Sequence, residues 1–380
     1  MWLWRQPWLA QVPVLDRYIL QELLPPFLFG VGAFSSLGLS LGALFELVRR
    51  VLESGLPPAI AVQVFALRAP YWVGLAFPMA TLLATLLTFN RLGSTSELTA
   101  LRACGISLYR WVAPALALSC LITGLTFLFN EAIVPTANYQ ANQVLERALS
   151  SDQPKTTQRN ITYQEFDPEN DRELLRQFYA SRYEGGVLHG VTVLDFSEQG
   201  LQQILTANTA LWDEARRTWI FSRGTIYLVS PDGGYRSILT FERQEIALPR
   251  APLDLATQRR SPEEMTIFEA QNYLSILRQS GDYEKIRKWQ IRIQQKIAIP
   301  FICVVLGLVG AALGSLPQSR PQNRGFGLSV LIIFFYYVLI FTCEAFSRAG
   351  VFSPFLGAWL PNFFGIGFGA YILRRAAARA

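Results

Sequence analysis

Six stretches of the chain carry no charged side chain over the length, or nearly the length, that a bilayer crossing demands: 23–45, 69–90, 111–130, 297–319, 325–343 and 349–373. The hydrocarbon core is about 30 Å thick, so a spanning helix needs roughly 20 mostly apolar residues. The six stretches form two groups of three. Between them, residues 131–296 hold 20 of the 34 basic and 22 of the 28 acidic residues. A chain built this way places its flanks in lipid and its middle in water. Only 16% of its residues are charged, against about 25% in soluble domains, which argues against an ordinary soluble enzyme. High apolar content likewise excludes disorder.

The N-terminal stretch has no compact apolar core followed by a cleavage site, so the first span is expected to stay as an anchor. Trp2, Trp4 and Trp8 read either as headgroup-level anchors or as a leader. Short-loop Lys/Arg counts favour both termini on the cytoplasmic side. Arg5, Arg17, Arg91, Arg102, Arg110, Arg320, Arg324, Arg374, Arg375 and Arg379 then lie inside, against Arg49, Arg50 and Arg348 outside. The cluster Lys285, Arg287, Lys288, Arg292 and Lys296 votes the other way. It reads as an interfacial anchor or as an attractor of anionic headgroups.

From about 159 to 248 the pattern changes to short runs rich in β-branched and aromatic residues, such as VTVLDF and TWIFSRGTIYLV. Turn signals at Glu184-Gly185-Gly186, 197–200 and 231–234 separate them. This pattern predicts an antiparallel sandwich or jelly roll, either closed on itself or open along a groove or edge. Ser261, Pro262 and Glu264 then read as the N-cap, first position and capping-box partner of a helix over 265–280 that stops at Gly281. The domain plan is therefore 1–130, 131–262, 263–296 and 297–380.

Chemistry-bearing motifs are scarce. No phosphate-cradling P-loop occurs, and Cys104, Cys120, Cys303 and Cys343 are too scattered for a disulfide framework or a zinc site. His189 is the only histidine, so no metal or catalytic centre is expected. Gly365, Gly367 and Gly369, like Gly38/Gly42 and Gly310/Gly314, read as close helix packing. Glu344, with Arg348 four residues on, reads as a local ion pair. Net charge of +6 is spread around membrane spans and does not point to nucleic acid.

The loop between the second and third spans, RLGSTSELTALRACGIS, predicts a short helix over about 94–104, with Ser94 as N-cap and Glu97 as box partner. Together with LDRYILQE at 15–22, FPMATLLATLLTFN before that loop, WQIRIQQKIAIPF at 289–301 and WLPNFFGIGFG at 359–369, it resembles the LptF/LptG permease family of lipopolysaccharide exporters over essentially the whole chain. The resemblance implies an α-helical membrane protein with six transmembrane helices (3+3) and an inserted periplasmic antiparallel β-jelly-roll domain. It implies a non-catalytic permease subunit of an ABC transporter in the inner membrane.

As partners it implies a second permease chain (an identical copy or a paralogue), a cytoplasmic ATPase dimer, periplasmic jelly-roll bridge proteins and lipopolysaccharide. No cofactor is implied on this chain; ATP and Mg belong to the partner ATPase. Glu97, with Arg91, Leu98, Leu101 and Arg102, is expected at the ATPase-coupling helix. Arg49 and Arg50 fall where the family contacts anionic lipid groups. Phe34, Gly38, Gly42, Phe45, Phe334 and Tyr337 are expected along a lateral gate formed by the first and fifth spans. A secondary transporter, a membrane-assembly subunit and an intramembrane enzyme are the rival readings. Scarce intramembrane charge disfavours the first, and the lack of a converging acid, nucleophile or metal set disfavours the last.

Overall fold

A computed structural model describes residues 13–149, 158–167, 173–196, 201–214, 216, 218–230, 234–246, 261–316 and 324–378. Trp2, Trp4, Trp8, Arg5, Arg320, Arg379 and the turns at 197–200 and 231–233 lie outside the described residues. The chain forms two compact units, residues 1–149 with 291–380, and residues 150–290. The boundaries fall at 149/150 and 290/291, not at 130/131 and 296/297 as the loss of apolarity implies. Helices do not stop where charge begins. The third spanning helix passes Glu131 and runs on as an amphipathic extension, and the basic stretch before the fourth span is simply that helix's first turns.

In the helical unit, α1 (Val14–Gly38) continues through a π-helical segment, Leu39–Leu44, into α2 (Phe45–Ser54). Then follow α3 (Pro58–Ser94), the short α4 (Glu97–Ala103) and α5 (Leu108–Leu128), which passes through a second π segment, Phe129–Ile133, into α6 (Val134–Leu149). Among the described residues, six helical runs are long and apolar enough to cross a membrane, which matches the expected 3+3 arrangement. The predicted spans are shorter than the observed helices because helices continue past the hydrocarbon boundary.

The middle unit holds β1 (Gln158–Phe166), β2 (Leu174–Glu184), β3 (Val187–Asp195), β4 (Gln203–Asp213), β5 (Thr218–Val229) and β6 (Tyr235–Ile246). They form one antiparallel sheet in sequence order. The β2–β3 turn is Gly185-Gly186, both with positive φ, as a two-residue hairpin requires. Strands lie roughly 4.8 Å apart, so β2 and β5 would be about 14 Å apart in a flat sheet. Yet the rings of Phe178 on β2 and Trp219 on β5 are 5.8 Å apart. The sheet is rolled, and its two halves face each other like a sandwich made from one meander. Trp219, Phe221, Leu188 and Ala180 fill the interior.

A row of distorted residues crosses this sheet. Asn160 on β1, Gly190 on β3 and Arg223 on β5 all have positive φ, and the pairing register aligns them across the strands. At that row the inward residues change parity: Leu188 gives way to Val191 and Val193, and Trp219 and Phe221 to Gly224 and Ile226. At Gly190 a Cβ would collide with the Ser181 hydroxyl. His189 beside it is a structural strand residue whose carbonyl accepts from Ser181.

After the sheet, the capping box at Ser261/Glu264 opens a single 3-10 turn, Pro262–Glu264. The helix proper, α7 (Ile267–Leu277), starts from a second box at Thr266/Glu269, so the predicted helix over 265–280 begins one cap later. A 3-10 turn, Arg278–Ser280, follows it and stops at Gly281, φ 68°, the expected stop. Then come α8 (Tyr283–Gly314), α9 (Arg324–Arg348) and α10 (Pro354–Ala378).

Packing in the helical unit is uneven. Within the most apolar 18-residue stretch of each spanning run, 72% of that in α3 and 67% of that in α8 is buried, against 22% in the run Val14–Ser54 and in α9. Glycines explain the central contact: Gly310 and Gly314 of α8 lie against Thr85, Leu86 and Phe89 of α3, the close approach that small residues permit. Gly365 and Gly369 of α10 likewise seat Val305 and Leu308, whereas Gly367 faces open space.

Candidate functional site

The sequence-predicted polar residues fall in two clusters of the helical unit, one at the α3–α4–α5 turn and one at the α2 end of the first helix. At the turn, α3 runs through Ser94, whose hydroxyl donates to the Arg91 carbonyl. Ser94 therefore does not cap α4. The chain reverses at Thr95 and at Ser96, which adopts a left-handed φ of 61°. Glu97 is the first residue of α4 and makes no capping bond. Its carboxylate instead accepts from the Tyr18 hydroxyl at 2.7 Å and the Thr95 hydroxyl at 2.8 Å. The expected capping box fails because a continuous helix already uses the backbone at Ser94.

The other turn residues also look inward. Arg91 pairs with Glu22 at 2.5 Å, and Arg110 pairs with Asp16. Leu98 is buried in the helical core and Leu101 is half-buried. Arg102 donates to the Ser315 carbonyl at 3.2 Å, with its guanidinium 5.5 Å from the Trp111 ring centroid. The surface that α4 leaves open is small and uncharged: Thr99, Ala100, Ala103 and Cys104. Sequence reasoning placed the charged and large residues there because it lacked the helix's rotation. It also left Asp16, Tyr18 and Glu22 without a role, although all three stand in the LDRYILQE stretch.

At the α2 end, Arg49 is well exposed and pairs with Glu53 at 3.0 Å. Arg50 pairs with Glu46 at 2.7 Å, and the other Glu46 oxygen takes Arg68 of α3, also at 2.7 Å. Arg68 reaches Asn142 of α6 as well, at 3.4 Å. Phe45, Glu46, Arg49, Arg50, Glu53 and Ser54 line an open cleft of about 550 Å³. Arg49 and Arg50 thus come together, and α3 contributes Arg68, a cation the short-loop count omitted because it sits just before an apolar run.

The expected gate residues divide. Phe45 and Phe334 are exposed. Phe34 and Tyr337 flank one core cluster, packed with Leu82, Val305 and Ile333. Gly38 and Gly42 are covered by the indole of Trp72 on α3, which would clash with any Cβ there. The small-residue stripe therefore seats a side chain of the same chain.

In the basic stretch at 285–296, Lys285 pairs with Asp282 at 2.7 Å and Arg292 joins Gln295 and Glu344, while Arg287 is buried against Tyr283. Glu344 also pairs with Arg348, as expected, and accepts from Gln295 at 2.8 Å. Cys104, Cys120, Cys303 and Cys343 are all free, and among the described residues no His/Cys/Asp/Glu group is arranged to hold a metal.

The family model described as lipopolysaccharide export system permease LptF/LptG matches residues 17–375. Among curated proteins, none matches the chain.

Proposed function

The chain belongs to the LptF/LptG family of lipopolysaccharide export permeases, and on that premise we propose that it is one half of an ATP-driven lipid extractor. A separate cytoplasmic ATPase dimer docks at the α4 turn, and a second permease chain, identical or paralogous, completes the bundle. Both termini lie in the cytoplasm, and the β unit is periplasmic and begins a bridge of similar domains.

The energetic need is clear. Each CH₂ moved from lipid to water costs about 0.8 kcal/mol, so one chain of a dozen carbons costs on the order of 10 kcal/mol. Lipid must therefore pass along a continuous apolar path while hydrolysis supplies direction. The observation that carries this reading is the uneven burial of the bundle. The most apolar stretches of the first and fifth spans are only 22% buried, and these spans present Phe29, Leu41, Phe45, Phe334, Phe335 and Phe341 outward. A partner chain and the lipid's acyl groups are the fitting occupants of such flanks. Arg49, Arg50 and Arg68 outnumber Glu46 and Glu53 by one, which leaves a net positive charge for the anionic headgroup at the α2 end.

Docking rests on the open face of α4 rather than on its charged residues. A tagged chain purified in mild detergent should carry with it an ABC ATPase, a second permease and lipopolysaccharide. Ala100→Arg puts a large charge on that open face without touching the core, and should abolish recovery of the ATPase while leaving the permease partner. Undiminished ATPase recovery with Ala100→Arg refutes docking at this face.

A further inference from the structure

The LDRYILQE segment has no task in the reading above, yet its polar side chains hold the turn. Arg110 pairs with Asp16, with a second contact at 3.0 Å. Tyr18 donates to Glu97 at 2.7 Å, and Arg91 meets Glu22 at 2.5 Å. The three partners come from three separate places: the end of α3, the start of α4 and the start of α5. All three converge on the first turns of α1.

We propose that Asp16, Tyr18 and Glu22 are the receiving half of the coupling device, carrying displacement of the α4 turn directly into the first spanning helix. This rests on the ATPase docking at α4. Four features point the same way. Glu97 uses both carboxylate oxygens inside the chain, so it serves as a positioning residue between the turn and α1. Ile19 and Leu23, in the same turns as the three polar residues, are buried in the helical core, so a displacement received there passes into the packed face of the first span. The α3–α8 core is tightly packed and provides the fixed frame. Finally, the links are partly exposed to solvent, and such pairs add little to folding stability. Their convergence on one helix end therefore serves transmission more than folding.

The test uses the complete complex of this chain with its permease partner and ATPase, reconstituted in liposomes loaded with lipopolysaccharide. Tyr18→Phe removes one charge-assisted hydrogen bond, so lipid released per ATP should fall about threefold to tenfold. Complex yield and hydrolysis rate should hold, which a merely structural role does not predict. Glu22→Arg should give a similar loss, and Glu22→Arg with Arg91→Glu should restore release by reversing the pair. In a Glu97→Ala background Tyr18→Phe should add no further loss, since both changes break the same link. Release per ATP at the unaltered level for Tyr18→Phe and Glu22→Arg overturns the proposal, as does additive loss in the double variant. If no ATPase accompanies the unaltered chain, the docking reading itself has failed, and that is seen before any variant is made.

Discussion

The packing of α8 on α3 makes a sharp prediction at Gly314. A Cβ there would sit 2.7 Å from the Phe89 Cβ, 3.1 Å from the Leu86 carbonyl oxygen and 3.3 Å from the Asn90 nitrogen. Backbone atoms and a Cβ cannot rotate away, so the helices must part by several tenths of an ångström along their contact. Overpacking of this kind costs about 1–3 kcal/mol, while replacing glycine in a helix recovers up to about 1 kcal/mol. Gly314→Ala should thus destabilise the helical unit by up to about 2 kcal/mol after that gain. Gly124 of α5 is the matched control: it is helical, but a Cβ there meets nothing within 4 Å. Gly124→Ala should leave stability unchanged or raise it by up to about 1 kcal/mol. For a unit of this size each kcal/mol moves the midpoint by about 2–4 °C. The two variants should differ by several degrees in thermal unfolding of the detergent-purified chain. Equal midpoints would refute the claim that close backbone approach, rather than glycine's general cost, sets this contact.

Two further outcomes concern the β unit. Trp219 is fully buried between Phe178 and Trp212, so Trp219→Ala should cost about 3–5 kcal/mol; limited proteolysis should cut within 158–246 while the helical unit persists. Burial pushes the Glu165 carboxyl above the usual carboxylate range, and Asp195 adds to this against the opposing pull of Arg176. Because the folded state holds that proton more tightly, stability from this group is full below the ordinary glutamate pKa and is lost as pH rises through the raised one. Glu165→Gln should raise the β unit's melting temperature at neutral pH and flatten its pH dependence over that window; a steeper or unchanged profile contradicts the assignment.

Much of this architecture is legible in one dimension. Lipid solvation demands long uncharged runs, and that demand is local, so the six spans and the soluble insert follow from composition alone. Turn chemistry is equally local: Gly185-Gly186, Ser261-Pro262 and Gly281 stand where hairpin, cap and stop occur. The contacts of the two polar clusters were not legible. The resemblance singles out Arg49, Arg50 and Glu97, whereas Arg68, Tyr18, Asp16 and Glu22 carry no local signal, because their partners belong to other helices.

The interior of the β unit shows the same limit. Period-2 alternation predicts one inward face per strand, but the row at Asn160, Gly190 and Arg223 reverses that face midway. Only the pairing of neighbouring strands brings those three residues into line. Apolar run length and turn residues therefore determined the element types and their order, since each depends on a few consecutive residues. Which face of α4 stays open, which helix Glu97 grips and how the sheet rolls were decided by tertiary packing. Those outcomes depend on side chains far apart in the chain competing for the same partners.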